Sequence, residues 1–299
     1  MTPAAGLEPW TVLRVIRTSA EWLAARGVDS ARLDAEHLLA YALGTTRLQL
    51  YLQYDRPLSP EERDALRPLL RRRGRREPLQ YIVGRAAFRE LDLFVDPRVL
   101  IPRPETEVLV QVVLDEVNTS EGLRAVDVGT GSGCIALSLL TEGPFSRVVA
   151  IDASAEAIEV ARSNAAGLDL PRPVGAETAD LEFRCGLGLT PLRADERFDV
   201  IVSNPPYVAV GDEPDLAPEI REWEPRLALF AGREGFDVID TLVDGAPDHL
   251  EAGGLLALEV GAGQAEIVAE RVRASTRYRS CGIHRDLSGR TRIVTARTA

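Results

Sequence analysis

Two short segments hold residues whose types and spacing could do chemistry. Asp127-Val128-Gly129-Thr130-Gly131-Ser132-Gly133 closes an apolar run and opens a helical pattern. Glycines at such a junction supply a tight turn and let the backbone approach a nucleotide-like ligand. A dinucleotide fingerprint places its third glycine three positions after the second; here Gly133 comes two after Gly131, and Cys134 stands at the third position. That spacing favours S-adenosylmethionine over a nicotinamide cofactor, and no Gly-Lys-Ser/Thr ending makes the turn a phosphate loop. Asp152 ends the next apolar run, about twenty residues farther on, where a carboxylate can accept from both ribose hydroxyls. The plainer reading of Asp152 is a cap for the helix that begins near Ser154.

Ser203-Asn204-Pro205-Pro206-Tyr207 follows the apolar run 198–203, which puts it at the carboxyl edge of the same sheet, beside the cofactor crevice. The residue types suit a planar NH2 group, whose lone pair is delocalised and which attacks a methyl sulfonium only when both hydrogens are held by acceptors. Asn204 offers a side-chain carbonyl for one hydrogen. Pro205 keeps its C=O while lacking an N–H, and Pro206 restricts the conformation before it, so a rigid backbone acceptor is available for the other. Tyr207 adds a flat face for stacking. Orientation and stabilisation of positive charge developing on nitrogen replace a charged base. A proline-stiffened turn with no ligand is the bland alternative, and the glycine turn upstream weighs against it.

The elements that position these segments read as alternating strands and helices. Apolar runs of strand length cover 124–128, 148–151, 198–203 and 255–260, and helical patterns follow at 134–140, 154–166, 236–250 and 262–274. This predicts a parallel sheet covered on both faces. Ahead of it, residues 9–74 are helical: Val12, Ile16, Ala20 and Leu23, then Leu33, His37, Leu38 and Tyr41, recur at helical spacing. Ser59-Pro60-Glu61-Glu62 is a helix start. Between Gly84 and Leu100 the period changes to alternation, through Phe88, Leu91, Leu93, Phe94 and Val95, predicting a hairpin. Ile101 to Glu107 then sets two prolines before a helix through Val108, Val112 and Val113, with Thr106 in its early turn. The expected organisation is a helical domain over 1–78, a hairpin connector over 79–104 and a cofactor-binding domain over 105–299.

Composition narrows the partners. A net charge of −11 over 299 residues argues against bare nucleic acid as the main partner. Arg71-Arg72-Arg73-Gly74-Arg75-Arg76 is the exception, either a solvated helix end or a contact for an acidic partner. Met1 to Trp10 has no secretory pattern, and no stretch reaches the roughly 18 apolar residues of a membrane span, so a cytoplasmic location is expected. Cys134, Cys185 and Cys281, like His37, His249 and His284, are scattered; reduced thiols and no metal site are expected.

With Asn204 to Tyr207, Asp127 to Gly133, Val99 to Glu107, Glu224-Pro225-Arg226-Leu227-Ala228-Leu229 and Arg285 to Arg290 in view, the chain resembles the protein-(glutamine-N5) methyltransferases of peptide chain release factors over nearly its whole length. The Asn-Pro-Pro-Tyr quartet is shared with enzymes that methylate base amino groups; the segments around Arg103 and Arg226 are more specific. The resemblance implies a seven-stranded Rossmann-like class I methyltransferase sheet with a small helical substrate-recognition domain. It implies S-adenosylmethionine against Gly129, Thr130, Gly131, Ser132, Gly133, Asp152, Gly188 and Asn204, and the glutamine of a Gly-Gly-Gln loop of a class 1 release factor on Asn204, Pro205, Pro206 and Tyr207.

One stretch departs from the family pattern. Near the adenine position, where an acidic residue is usual, the chain reads Cys185-Gly186-Leu187-Gly188-Leu189, after a segment containing Pro171, Pro173 and Gly175. Either Asp180 in a shifted register or the backbone near Gly188 would make the contact. Two other functions compete: a methyltransferase on a nucleic-acid base extracted from its stack, which salt-dependent nucleic-acid binding would reveal, and a non-catalytic cofactor-binding regulator, which single-turnover methyl transfer would exclude.

Overall fold

The computed structural model describes residues 9–117, 122–168, 170 and 180–299; Pro171, Pro173 and Gly175 lie outside them. The described residues form two compact units.

The first unit runs to Gly84 and also takes in Pro218–Trp223. It contains α1 (Val12–Ala24), α2 (Ala31–Ala42), α3 (Arg47–Leu52), α4 (Pro60–Arg73), α5 (Leu79–Val83) and, from far along the chain, α9 (Pro218–Trp223). Ser59 and Glu62 close a reciprocal capping box at the start of α4, with Glu62 N–H donating to Ser59 Oγ at 3.2 Å and Ser59 N–H donating to Glu62 Oε2 at 2.8 Å. The buried face of α2 is Ala31, Ala35, Leu38 and Leu39, whereas Leu33 and Tyr41, expected on that face, are exposed. The arginine run differs from both expectations. Arg73 is buried, bonded to Asp34 at 2.6 Å and to Glu219 at 2.9 Å, and Arg76 reaches the same Glu219 at 2.6 Å. Arg71 and Arg75 stay exposed. A buried cation is stable only when paired, so part of the run is internal glue for α2, α4 and α9.

The second unit comprises the described residues of 85–217 and 224–299. The hairpin β1 (Arg85–Phe88) and β2 (Leu91–Phe94) belongs here rather than to a separate connector. The reason is burial: Phe88, Leu91 and Leu93 sit in one core cluster with α6 (Pro104–Val117) and α7 (Cys134–Glu142). The main sheet contains β3 (Leu123–Val128), β4 (Phe145–Asp152), β5 (Asp180–Cys185), β6 (Phe198–Ser203), β7 (Leu250–Glu259), β8 (Tyr278–Arg285) and β9 (Thr291–Thr298), in the order β5-β4-β3-β6-β7-β9-β8. Pairing is parallel from β5 to β7, and β9 is antiparallel to both β7 and β8. Helix α8 (Ala155–Ala166) follows β4; α10 (Asp237–Gly245) ends at a 3-10 turn over Ala246–Asp248, short of the expected 236–250. Helix α11 (Ala265–Ala274) starts three residues later than expected because Gln264 Oε1 accepts from Gly261 N–H at 2.7 Å and holds a turn there.

Asn164 joins the hairpin to the glycine turn. Its Oδ1 accepts from Phe94 N–H at 2.8 Å, and its Nδ2 donates to Phe94 O at 3.0 Å and to Ser132 O at 2.8 Å. The side chain thus replaces a strand partner for β2. Asn164→Ala leaves these backbone groups without partners and is expected to destabilise the sheet unit by about 2–4 kcal/mol. A shift of its urea midpoint measures this; an unchanged midpoint would show that water replaces the amide.

Candidate functional site

Strand register brings the site together. Val128 is level with Ile151 on one side and Ser203 on the other, and Asp152 is level with Cys185. The residues that follow these strand ends, Gly129, Ala153, Gly186 and Asn204, therefore emerge at one carboxyl edge, where they line a crevice of about 500 Å³.

The glycine turn is held from behind. Gly129 and Thr130 both donate to Ile151 O, at 2.8 and 2.9 Å. Asp127, fully buried, accepts from Thr130 Oγ1 at 2.7 Å and from Ala136 N–H at 3.1 Å. Burial pushes its carboxyl up to about 7, against the pull of those two donors. Gly129, Gly131 and Gly133 have φ of 75°, 54° and 85°, the left-handed region glycine tolerates. Of the expected cofactor residues in the turn, Gly129 and Gly131 line the crevice, whereas Thr130 and Ser132 are buried behind it. Gly133 serves packing: a Cβ there would meet Leu137 at 3.2 Å and Ala161 at 3.3 Å.

Asp152 lines the crevice. Its Oδ2 accepts from Gly131 N–H and its Oδ1 from Ser154 N–H, both at 2.9 Å. The helix cap is Ser154, whose hydroxyl accepts from Ala157 N–H at 3.2 Å. Asp152 is therefore released from the capping role and instead couples the glycine turn to the end of β4. Burial raises its carboxyl above the ordinary range, opposed by the Ser154 and Gly131 amides. Gly186, Leu187 and Gly188 also line the crevice, with Leu187 66% exposed. Asp180 does not: it opens β5 at the opposite end from Cys185, level with Arg147, so of the two sequence alternatives only the backbone near Gly188 is in place.

The acceptor motif is fixed by a polar network that the sequence did not reveal. Asn204 Nδ2 donates to Thr106 Oγ1 at 2.9 Å, and Thr106 Oγ1 donates to Glu259 Oε2 at 2.6 Å. Tyr207 OH faces Glu259 Oε1 at 3.4 Å, and Tyr207 O accepts from Gln264 Nε2 at 3.0 Å. Asn204, Pro205 and Pro206 line the crevice; the Tyr207 ring turns toward Glu259 and packs on the core. Glu259 is 1% exposed, and burial pushes its carboxyl up to about 7 while Thr106, Arg292 and Tyr207 hold it down. In the sequence Thr106 is legible only as an early-turn residue and Glu259 only as a polar position within the apolar run 255–260.

Two segments distant in sequence complete the wall. Arg103 Nη2 donates to Glu224, which is buried, and Val208 pairs with the backbone of Leu229 and Ala231. Pro225 to Ala228 line the crevice, as do Pro97 to Leu100.

A sheet of this order with a reversed strand β9, a glycine turn at its carboxyl edge and an Asn-Pro-Pro-Tyr acceptor motif beside it defines a Rossmann-like methyltransferase. Comparisons agree. Residues 14–84 match the PrmC N-terminal domain and residues 104–221 the methyltransferase small domain. The chain is 43% identical over 290 residues to a release factor glutamine methyltransferase of Geobacter sulfurreducens, covering 97% of this chain and 98% of that one. It is 37% identical to one of Rhodopirellula baltica, covering 97% of each. A methyltransferase crystal structure from Pyrococcus furiosus shares the fold, with a TM-score of 0.50 at 20% identity over 69% of this chain and 88% of that one. The chain belongs to the release factor glutamine methyltransferase family.

The raised carboxyl of Glu259 has a stability consequence. Folded protein keeps its proton up to about pH 7, whereas the unfolded chain loses it near pH 4.3. The Glu259 contribution is thus fully present below about pH 4.3 and is lost as pH rises through about 7. Relative to Glu259→Gln, which stays neutral, the wild type is expected to lose about 3 kcal/mol of stability between pH 4 and pH 8. Denaturation of both proteins across that range checks it, and parallel curves would contradict it.

Proposed function

We propose that this chain transfers a methyl group from S-adenosylmethionine to the side-chain amide nitrogen (N5) of the glutamine in the Gly-Gly-Gln motif of class 1 peptide chain release factors. The observation that carries the reading is the polarity of the Asn204 amide. Its Nδ2 is committed to Thr106, so Oδ1 is the remaining acceptor on a residue that lines the crevice. Family membership, shown by near full-length relatives, supports glutamine over a base amino group as the acceptor.

The crevice suits the cofactor on the chemistry of its walls. Asp152 supplies a charged acceptor for hydroxyls, Gly129 and Gly131 expose backbone, and Leu187, Ala157 and Val238 give apolar surface for a base. When bound, S-adenosylmethionine supplies a sulfonium-activated methyl group. The chain then orients the nucleophile: Asn204 Oδ1 and the Pro205 carbonyl each take one hydrogen of the glutamine NH2. That arrangement aligns an otherwise weak nitrogen nucleophile and stabilises the positive charge that grows on it. Tyr207, held by Glu259 and Gln264, bounds the acceptor position. The helical unit, whose groove of about 350 Å³ is lined by Trp10, Trp22, Arg63, Arg67 and Arg71, supplies a second contact with the body of the factor.

Asn204→Ala is expected to slow methyl transfer at saturating cofactor several hundredfold, about 3 kcal/mol or more. Radiolabel transfer to an intact release factor tests it, and near wild-type turnover would remove the proposed role. The same assay on an isolated Gly-Gly-Gln peptide should show a much higher KM; equal KM values would leave the helical unit without this purpose. Asp152→Ala should weaken cofactor binding by about tenfold or more, since a charged acceptor is lost. Titration calorimetry measures this, and an unchanged Kd would confine Asp152 to holding the turn.

A further inference from the structure

The network behind Asn204 has more polarity than positioning alone requires. Thr106 Oγ1 carries one hydrogen and sits between two partners, Glu259 Oε2 at 2.6 Å and Asn204 Nδ2 at 2.9 Å. An ionised carboxylate has no hydrogen to give. The Thr106 hydrogen must then point to Glu259, Thr106 must accept from Asn204, and the amide is locked with Nδ2 inward and Oδ1 outward. A protonated Glu259 removes that obligation. It can donate to Thr106 Oγ1, and the Thr106 hydroxyl is then free to donate to Asn204 Oδ1, which turns the amide over and presents N–H groups to the substrate NH2. Two donors facing each other is the arrangement methyl transfer cannot use.

Resting on the glutamine-methylation reading, we propose that Glu259 acts through Thr106 as a protonation-dependent positioning pair, which holds Asn204 in its acceptor orientation only while Glu259 is ionised. The groups that face Glu259 come from several elements. Thr106 and Glu105 lie on α6, Tyr207 follows β6, Cys134 opens α7 and Arg292 lies on β9. Burial and Glu105 favour the protonated form; Thr106, Arg292 and Tyr207 favour the ionised one. The balance falls at about 7, which puts the expected change of orientation near neutral pH. Cys134 stays a thiol throughout, its ionisation pushed up to about 12 by burial beside Asp127 and Glu259. Burial also pushes the Tyr207 phenol up, so neither group titrates in the same range.

The test is the pH profile of single-turnover methyl transfer to an intact release factor, from pH 5.5 to 8.5, for the wild type, Thr106→Val and Thr106→Ser at saturating cofactor. In the wild type the rate should climb at least tenfold through an inflection near neutrality. Thr106→Val keeps the side-chain shape but breaks the link, and it should lower kcat at high pH at least tenfold, leave the cofactor Kd unchanged and flatten the inflection. Thr106→Ser restores the hydroxyl and should restore the inflection, which a merely packing role for Thr106 would not do. A flat wild-type profile overturns the proposal, as does a Thr106→Val profile that keeps the wild-type inflection. Failure of the wild type to methylate the factor at any pH overturns the glutamine-methylation reading and the proposal with it.

Discussion

Parallel pairing with level carboxyl ends is the constraint on which the rest of this molecule depends. Because Val128, Ile151 and Ser203 end in register, the chain leaves three neighbouring strands at the same height, and whatever follows each strand is delivered to one crevice. The crevice is built jointly by the segments that follow adjacent strands. Displacing β6 by one residue against β3 would turn its side chains to the other face and carry Asn204 away from the glycine turn. The apolar layers on both faces of the sheet are what make such a slip costly.

Upon that frame sit two buried carboxylates with similar physics and different work. Asp127 and Glu259 are each stripped of water and pushed up to about 7, and each is held by a threonine hydroxyl, Thr130 for one and Thr106 for the other. Asp127 fixes the shape of the glycine turn and the first turn of α7. Glu259 fixes the side-chain amide that faces the crevice. Desolvated polar groups of this kind are costly unless satisfied, and here each supports one of the two segments proposed to meet the reactants.

The residues proposed to meet the reactants stand out in the sequence because their types are unusual for their positions: glycines closing a strand, paired prolines after an asparagine. The central strands β3, β4, β6 and β7 are equally plain, being largely apolar runs with most residues buried. Strands β5, β8 and β9 are less plain in the sequence, and for β5 the reason is chemical. In β5, Glu182 and Arg184 alternate with half-buried residues and pair with Arg147 and Glu196, so the segment reads as polar although it forms an edge strand. The support network was invisible for another reason. Thr106 and Glu259 are 153 positions apart, and Asn164 lies inside a helix where asparagine is merely a poor former; only the fold brings them to their partners. Arg73 misled in the opposite direction, since a run of arginines signals surface, yet this one is buried against Asp34 and Glu219.

The identity of the methylated atom separates glutamine methylation from every other reading. Incubation of the protein with a class 1 release factor and isotopically labelled S-adenosylmethionine, followed by tandem mass spectrometry of the digested factor, locates it. One labelled methyl on the side-chain nitrogen of the Gly-Gly-Gln glutamine, absent when Asn204→Ala replaces the wild type, is the predicted result. Label on any other residue, or an unmodified glutamine after complete incubation with folded wild-type protein, would contradict it.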